Sequence, residues 1–326
     1  MQLFVSIQRN ARTRGCELSV KSRTFKSYRY SLVRFANIES SIGLSVSQQI
    51  AKRALLLYSF GRVRWKTRKY LGHALKGMAD KRNSGVGREA LVIAHGPSTG
   101  RLNVEGVATA MEEGLDVFAV TNFYATELSS RVSPTYLVLS DPLSGPNSHY
   151  AMAKKIWHDL EDHPEVQLIA PHAWYPELNV LRPSTLYFND CGLQGLTKNI
   201  SPMRPKGYIS RTAFVALAVA IYMGYDRIFI IGFDNTMHRA LGVDEFGRIE
   251  LESSSHFYGT YPPEDELGDD YDRGVADALF SDSLCLVDLD RCFSSSPIIN
   301  LDVKSSTRAF RKMADPRLIN EVPPVL

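Results

Sequence analysis

Beyond residue 89, short apolar runs alternate with longer stretches of helical periodicity. The apolar runs predict strands at 90–94, 116–120, 135–140, 166–170, 227–232 and 283–289. The stretches between them predict helices at 102–114, 148–162 and the very apolar 211–225. Strands of about four to six apolar residues that alternate with helices indicate a mostly parallel sheet covered on both faces. The pattern therefore predicts an α/β, Rossmann-like fold.

Residues 48–79 show a different pattern, in which an apolar stripe runs among basic side chains. Leu56, Phe60, Val63, Leu71, Leu75 and Met78 recur close to a 3.6-residue period. Basic residues surround them, and Trp65 and Tyr70 are suited to an interface, so a basic amphipathic helix is predicted. Such a helix either packs on its own domain or lies on an anionic membrane, where each basic residue contributes about 1 kcal/mol.

The charge distribution separates an N-terminal arm from the rest of the chain. Residues 1–88 contain 19 Lys and Arg but three acids, whereas residues 89–326 contain 19 bases and 32 acids. The arm thus carries about +16 and the catalytic domain predicted over 89–326 about −13. This asymmetry indicates an electrostatic partner for the arm. We expect peripheral contact with an anionic membrane through residues 48–79 and no nucleic acid, because no nucleic-acid motif follows.

The remaining composition bears on location. Residues 1–47 are rich in Arg and Ser, which predicts weakly ordered chain and also fits an organellar transit peptide. No apolar run reaches the roughly 18–20 residues that span a bilayer. Four scattered cysteines favour reduced thiols over a zinc site or a disulfide framework. We expect a cytoplasmic protein, peripheral on the inner face of a membrane and compatible with homo-oligomerisation.

Polar and small residues follow the predicted strands where each one ends. Ligands of such folds bind beyond the carboxyl ends of the strands. Small, hydroxyl and amide groups suit a phosphate, a ribose and a base. The strand-end candidates for nucleotide binding are His95, Gly96, Pro97, Ser98, Asn122, Asp141, Gly232, Asp234, Asn235 and Thr236.

A long segment of weak periodicity, about 236–275, is predicted to form an irregular lid. It contains His256 within the sequence ESSSHFYGTYPP. Because histidine titrates near neutrality, His256 can take a proton from an attacking hydroxyl. The histidines show no i,i+4 pairing, so neither a metal nor a cofactor is predicted.

Four segments resemble a known family when read in order: HGPS, DVFAVTNFY, AVAIYMGYDRIFIIGFD and SSHFYG. The corresponding segments of bacterial CMP-sialic-acid-dependent sialyltransferases of the Campylobacter lipooligosaccharide type, glycosyltransferase family 42, read roughly NGPS, DVFRCNQFY, AVAIALGYKEIYLSGID and NSHYIG. The broader DUF115-like group, which includes nonulosonic-acid transferases and a diphosphokinase, is also similar. The resemblance covers residues 90–290 in patches.

The resemblance implies metal-independent, inverting transfer of a sialic-acid-like or Kdo-like sugar from a CMP-activated donor to a glycan or lipid-linked acceptor. It implies that His256 is the general base, that Asn122 contacts CMP and that Thr212 lies near the donor. His95 replaces the family's asparagine and Thr236 replaces a phosphate-binding tyrosine; Arg211, Tyr258 and Tyr261 are candidate substitutes. Two alternatives remain open: a magnesium-dependent diphosphokinase, and a non-enzymatic binding protein at the membrane.

Overall fold

The computed structural model describes residues 46–148, 151–208, 211–234 and 286–320, together with four short backbone stretches between 241 and 260. The chain forms two compact units, Met1–Leu56 and Leu57–Leu326. The second unit contains the whole sheet and the sites described below. The domain boundary predicted at residue 88 stays a prediction.

Eight parallel strands form one sheet, which confirms the predicted fold class. In chain order these strands are β1 (Glu89–Ile93), β2 (Asp116–Val120), β3 (Tyr136–Val138), β4 (Gln167–Pro171), β5 (Leu186–Phe188), β6 (Arg227–Ile231), β11 (Ile298–Asn300) and β12 (Arg311–Lys312). Their order across the sheet is β12-β11-β6-β1-β2-β3-β4-β5. The chain therefore runs outward from β1 to β5 and returns to place β6 on the other side of β1. The topological switch point lies between β1 and β6.

The helices are α1 (Val46–Thr67), α2 (Leu71–Asp80), α3 (Val104–Glu112), α4 (Ala151–Asp162), α5 (Tyr175–Leu181), α6 (Thr212–Met223) and α7 (286–293). Two of their ends have clear local causes. The side chain of Asn103 caps α3 by accepting from the Gly106 amide, 3.1 Å away. Gly224 ends α6 with φ +78°, a left-handed conformation that costs glycine least.

Successive residues of β1 enter two cores on opposite faces of the sheet. Ala90 and Val92 belong to the core that includes α6 and α7, whereas Leu91 and Ile93 belong to the core that includes α3 and α4. Both sets are buried, as the two-residue period of a strand covered on both faces requires. The helix α6 is buried along nearly its whole length, which explains why its sequence is apolar all round.

The single helix predicted over 48–79 is two helices, α1 and α2, separated at residues 68–70. Tertiary contacts account for the break: the Thr67 hydroxyl bonds His172, and the Tyr70 ring stacks on Tyr175 with centroids 5.5 Å apart. The helix α2 packs on β5 and buries Leu75 and Met78. For α2, the interpretation as a helix packed on its own domain is confirmed.

The strand predicted at 283–289 is wrong where it can be compared, because residues 286–293 form α7. Leu289 and Phe293, four residues apart, bury one helical face, and Asp288 pairs with Arg291 one turn later. The last central strand is instead β11, a short apolar run that the pattern did not separate from its surroundings. The strand β5 and the helix α5 were also missed.

Within the predicted lid, four short strands are described: β7 (Leu241–Val243), β8 (Ile249–Leu251), β9 (Ser255–His256) and β10 (Gly259–Thr260). They form two antiparallel pairs, β7 with β8 and β9 with β10. The lid is thus partly regular rather than wholly irregular. Among the described residues, no helix combines the length and the apolar character needed to cross a membrane.

Candidate functional site

The loops after β1 and β6 meet at the switch point and hold one another closed. The Gly96 amide donates to the Gly232 carbonyl (2.8 Å), and the Gly232 amide donates to the Ser98 hydroxyl (2.9 Å). That hydroxyl and the Ser98 amide both donate to the Asp234 carboxylate, at 3.0 and 3.2 Å. We name Gly96, Ser98, Gly232 and Asp234 the Ser98–Asp234 lock.

The two glycines of the lock are required by space. A Cβ on Gly96 would lie 1.9 Å from an Asp234 carboxylate oxygen. A Cβ on Gly232 would lie 2.2 Å from the Thr99 hydroxyl and 2.4 Å from the Ala94 carbonyl oxygen, and its φ of +74° disfavours any L side chain. The lock is therefore built for close approach of two backbones rather than for a side chain at either position.

Asp234 shares its surroundings with a second carboxyl group. Burial is the largest cause that raises the pKa of Asp234 to about 6; the Asp302 carboxyl acts in the same direction, and hydrogen bonds from Ser98 act against it. Asp302 is buried and ion-paired with Arg101.

Sequence analysis did not find Asp302. It follows the short strand β11 as Asp234 follows β6, and the loop that begins at Asp302 returns to the lock: the Ser305 hydroxyl donates to the Phe233 carbonyl at 2.8 Å. The signal was present, since the strand-end rule applied to Ile298–Asn300 would have identified it. It was missed because the last strand was placed at 283–289.

Three hydroxyl groups form a second polar group beside the lock. Thr212, the first residue of α6, lies 3.2 Å from the Thr121 hydroxyl after β2 and 2.8 Å from the Ser140 hydroxyl after β3. Thr121 has φ +33°, an uncommon conformation for a β-branched residue. Such local strain is found mostly where function requires a defined geometry. The N-terminus of α6, where backbone amides give a positive potential, is thereby fixed at this edge of the sheet.

Further half-buried residues lie in the loops after β1 and β2 and directly before α6. His95 follows β1, Asn122 follows Thr121, and Arg211 precedes α6 in an extended conformation. We name His95, Thr121, Asn122, Ser140, Arg211 and Thr212 the polar rim. Unlike the buried side chains of the lock, all six are partly accessible to solvent. The rim contains hydroxyl, amide, imidazole and guanidinium groups, a set suited to a phosphate and a sugar acid.

Other predicted strand-end residues occupy local roles. The Asp141 carboxylate accepts from the Leu143 amide at 2.9 Å and begins a short turn, and Pro97 begins another. Phe123 and Tyr124, which follow Asn122 after β2, are buried in the core that includes α3 and α4.

Most of the site residues predicted in or beside the lid are not among the residues that the structure describes. Asn235, Thr236, Tyr258 and Tyr261 are not among the described residues. For His256, only the backbone is described: it belongs to β9 and pairs with Gly259 of β10. Its role as general base stays a prediction.

Comparisons with protein-family models, curated proteins and solved structures return no match. The site is therefore interpreted from its own geometry. The site has two parts. In the lock, the polar groups of the two loops bond one another. In the polar rim, partly accessible groups lie near the N-terminus of the buried helix α6. The first can hold a loop in position, and the second can bind an anionic ligand.

Proposed function

We propose that the protein transfers a sialic-acid-like or Kdo-like sugar from a CMP-activated donor to a glycan or lipid-linked acceptor, with inversion and with His256 as general base. One observation carries this proposal. The strand-end loops HGPS, TNFY and GFD, which resemble sialyltransferase segments, follow the neighbouring strands β1, β2 and β6 around one switch point, where ligands of doubly wound sheets bind.

The residues that resemble the sialyltransferase segments have different roles in the lock and in the polar rim. Ser98 and Asp234 bond each other, so they position the loop after β1 instead of contacting the donor. The donor then contacts the rim, where Asn122 and Thr212 offer an amide and a hydroxyl. Arg211 and the amides at the start of α6 suit the departing CMP phosphate or the donor carboxylate.

The chemistry needs few protein groups. The leaving phosphate monoester is stabilised by fixed donors, and the donor's own carboxylate offsets positive charge on the sugar ring in the transition state. Once His256 has taken the proton of the acceptor hydroxyl, that oxygen attacks the anomeric carbon from the face opposite CMP. Because the leaving group is already activated, no metal is required for this step.

Nucleotide binding is the first test. Thermal-shift and calorimetric titrations with CMP, CDP, UDP, GDP and ATP, each with and without magnesium, are expected to show CMP binding that is independent of magnesium. Asn122→Ala is expected to weaken CMP binding about tenfold, as loss of one hydrogen-bonded contact does, whereas exposed Ser130→Ala leaves it unchanged. A response to ATP with magnesium but not to CMP would instead favour the diphosphokinase.

Transfer itself is tested at His256. His256→Ala is expected to abolish sugar transfer, measured as CMP release in the presence of an acceptor, while CMP binding stays within twofold of wild type. His158→Ala is the matched control, because the side chain of His158 is largely exposed on α4. Full transfer by His256→Ala would exclude the general-base assignment, and CMP binding without any transfer would favour a binding protein.

We also propose that the C-terminal half of α1 contacts anionic membrane. Leu57, Tyr58 and Trp65 are exposed, and the Arg68 guanidinium lies over the Trp65 ring at 5.8 Å. Trp65 fluorescence is expected to shift to the blue with vesicles containing anionic phosphatidylglycerol but not with phosphatidylcholine alone. Arg64→Glu is expected to reduce that binding, because it replaces an attractive charge with a repulsive one.

A further inference from the structure

A second polar cluster lies at the carboxyl ends of β4 and β5, which are the next two strands after β3 in the sheet. His172 follows β4 directly, and Asp190 and Cys191 come shortly after β5. One donor atom from each lies within 4.8 Å of the other two. Cys191 and His172 are buried, and the Asp190 side chain is a quarter exposed. We name these three residues the edge cluster.

Hydrogen bonds determine which nitrogen of His172 carries a proton. The Thr67 hydroxyl donates to the Val63 carbonyl at 3.0 Å, so its oxygen accepts from Nε2 of His172, 3.1 Å away. The Asp190 amide donates to Nδ1 at 3.3 Å, which agrees with an unprotonated Nδ1. In the neutral tautomer that these bonds favour, Nδ1 carries no proton although it is in direct contact with the Asp190 carboxylate.

Two electron-rich atoms in contact within a protein interior require a cation between them or a proton shared by them. We infer that His172, Asp190 and Cys191 bind a divalent transition-metal ion of the zinc class. Imidazole, carboxylate and thiolate are the ligands zinc uses in proteins, with bonds of about 2.0–2.3 Å. Donors that lie within 4.8 Å of one another can converge on such an ion after small side-chain shifts.

The surroundings fit this class of metal. The Nε2–H bond to Thr67 is the outer-shell hydrogen bond that orients a histidine ligand and makes it more basic. The thiolate disfavours magnesium and calcium, which prefer oxygen ligands. Three protein ligands leave a fourth position, which water can reach on the exposed side of Asp190. The ion would join the ends of β4 and β5 to the end of α1.

Two nearby cationic side chains, Lys206 and Arg64, oppose a metal ion, because the charges of both act on Cys191. The buried one, Lys206, sharpens the test. Lys206 is buried, its Nζ lies 5.7 Å from the Phe188 ring centroid, and its charge interacts with Asp190 and Cys191. An ammonium group repels a metal ion at the edge cluster. Replacing Lys206 by the apolar Met of similar length is therefore expected to strengthen metal binding about tenfold.

This inference departs from the sequence-based expectation of no metal and of scattered, unliganded cysteines. Cys191 and His172 are 19 positions apart in the chain and match no metal-binding spacing. The adjacent parallel strands β4 and β5 bring them together, with Pro171 paired to Phe188. The inference does not depend on the proposed sugar transfer, and its test measures no activity.

The test is a Co²⁺ titration of tag-free, metal-stripped full-length protein, followed by Zn²⁺ competition. We expect one equivalent of Co²⁺ to give a thiolate charge-transfer band in the near ultraviolet and tetrahedral d–d bands, both displaced by Zn²⁺. Cys191→Ser is expected to abolish the charge-transfer band, whereas Cys292→Ser, at the other described cysteine, retains it. Lys206→Met is expected to lower the Co²⁺ dissociation constant.

Two further measurements keep the outcome decisive. If Cys191→Ser reduces the folded fraction seen by circular dichroism, Asp190→Asn provides the same comparison, with an expected affinity loss of at least tenfold. Nitrogen-15 NMR of the His172 ring then separates the two possibilities. A metal shifts Nδ1 on titration; protonation of both ring nitrogens, with no Co²⁺ bands in the wild type, shows a buried imidazolium–carboxylate pair and overturns the inference.

Discussion

The Ser98–Asp234 lock and the edge cluster both lie at the carboxyl ends of the strands of one sheet. They differ in how their buried polar groups find partners. In the lock, the amides of Gly96 and Gly232 and both polar groups of Ser98 have partners within the two loops. In the edge cluster, Nδ1 of His172 is in direct contact with the Asp190 carboxylate. The first group is complete by itself, whereas the second requires a proton or a metal ion.

This difference follows from what each position in the sheet must do. At the switch point, β1 and β6 run side by side and their loops can hydrogen-bond backbone to backbone once glycines permit close approach. At β5 the sheet ends, and the edge cluster contacts α1 through side chains, the Thr67 hydroxyl and the His172 ring. The lock, in which two backbones approach closely, is therefore sensitive to residue size. The edge cluster, which is made of side chains, is sensitive to charge.

The largest effect is expected from Gly232→Ala, which would break the lock. The added Cβ meets the Thr99 hydroxyl and the Ala94 carbonyl and also forces an L residue to φ +74°. We expect the free energy of unfolding to fall by about 3–5 kcal/mol, measured by urea denaturation. Gly195→Ala is the matched control: its φ is +77° with nothing within 4 Å, so about 1–2 kcal/mol is expected. Equal losses would show that the close approach is unimportant.

His172→Ala is expected to break the edge cluster at a cost of about 2–4 kcal/mol in the free energy of unfolding. The substitution leaves a cavity and removes the partner of Thr67 and Asp190. His158→Ala, on the exposed side of α4, is expected to change stability by less than about 0.5 kcal/mol. A loss below 1 kcal/mol at His172 would mean that this cluster is not a structural joint.

Asp234→Asn would sharpen the comparison through pH. Because burial raises the folded-state pKa of Asp234 to about 6, protonation stabilises the fold fully below about pH 4, and this contribution is lost as pH rises through about 6. The asparagine variant lacks this loss. Its free energy of unfolding relative to wild type is therefore expected to rise by about 2 kcal/mol from pH 4 to pH 7. A difference that does not change with pH would contradict the raised pKa of Asp234.

The smallest effect is expected from Thr212→Val in the polar rim. The substitution removes the hydroxyl that contacts Thr121 and Ser140, all three being half-buried. We expect about 1 kcal/mol less stability but a CMP affinity reduced about tenfold. If CMP affinity is unchanged and the free energy of unfolding falls by several kcal/mol, Thr212 has a structural role and does not bind the ligand.

The apolar pattern predicted β1, β2, β3, β4 and β6 close to their observed bounds, and the strand-end rule then identified both loops of the lock. Each of those loops is contiguous in the chain, so local pattern was sufficient. Prediction failed at β5 and β11, which have three residues each. The strand β3 is as short, but it lies within the longer, mostly apolar run 135–140. Runs that short carry no periodicity, and without β11 the carboxyl partner Asp302 could not be placed.

By itself, the sequence determined the alternation of elements and the apolar character of α6, because each depends on neighbouring residues. The tertiary structure alone decided that α1 and α2 are separate, that Asp234 meets Asp302, and that His172 faces Asp190. The physical reason is the same in each case. These contacts join residues that only the order of parallel strands brings within bonding distance, and no local preference encodes that order.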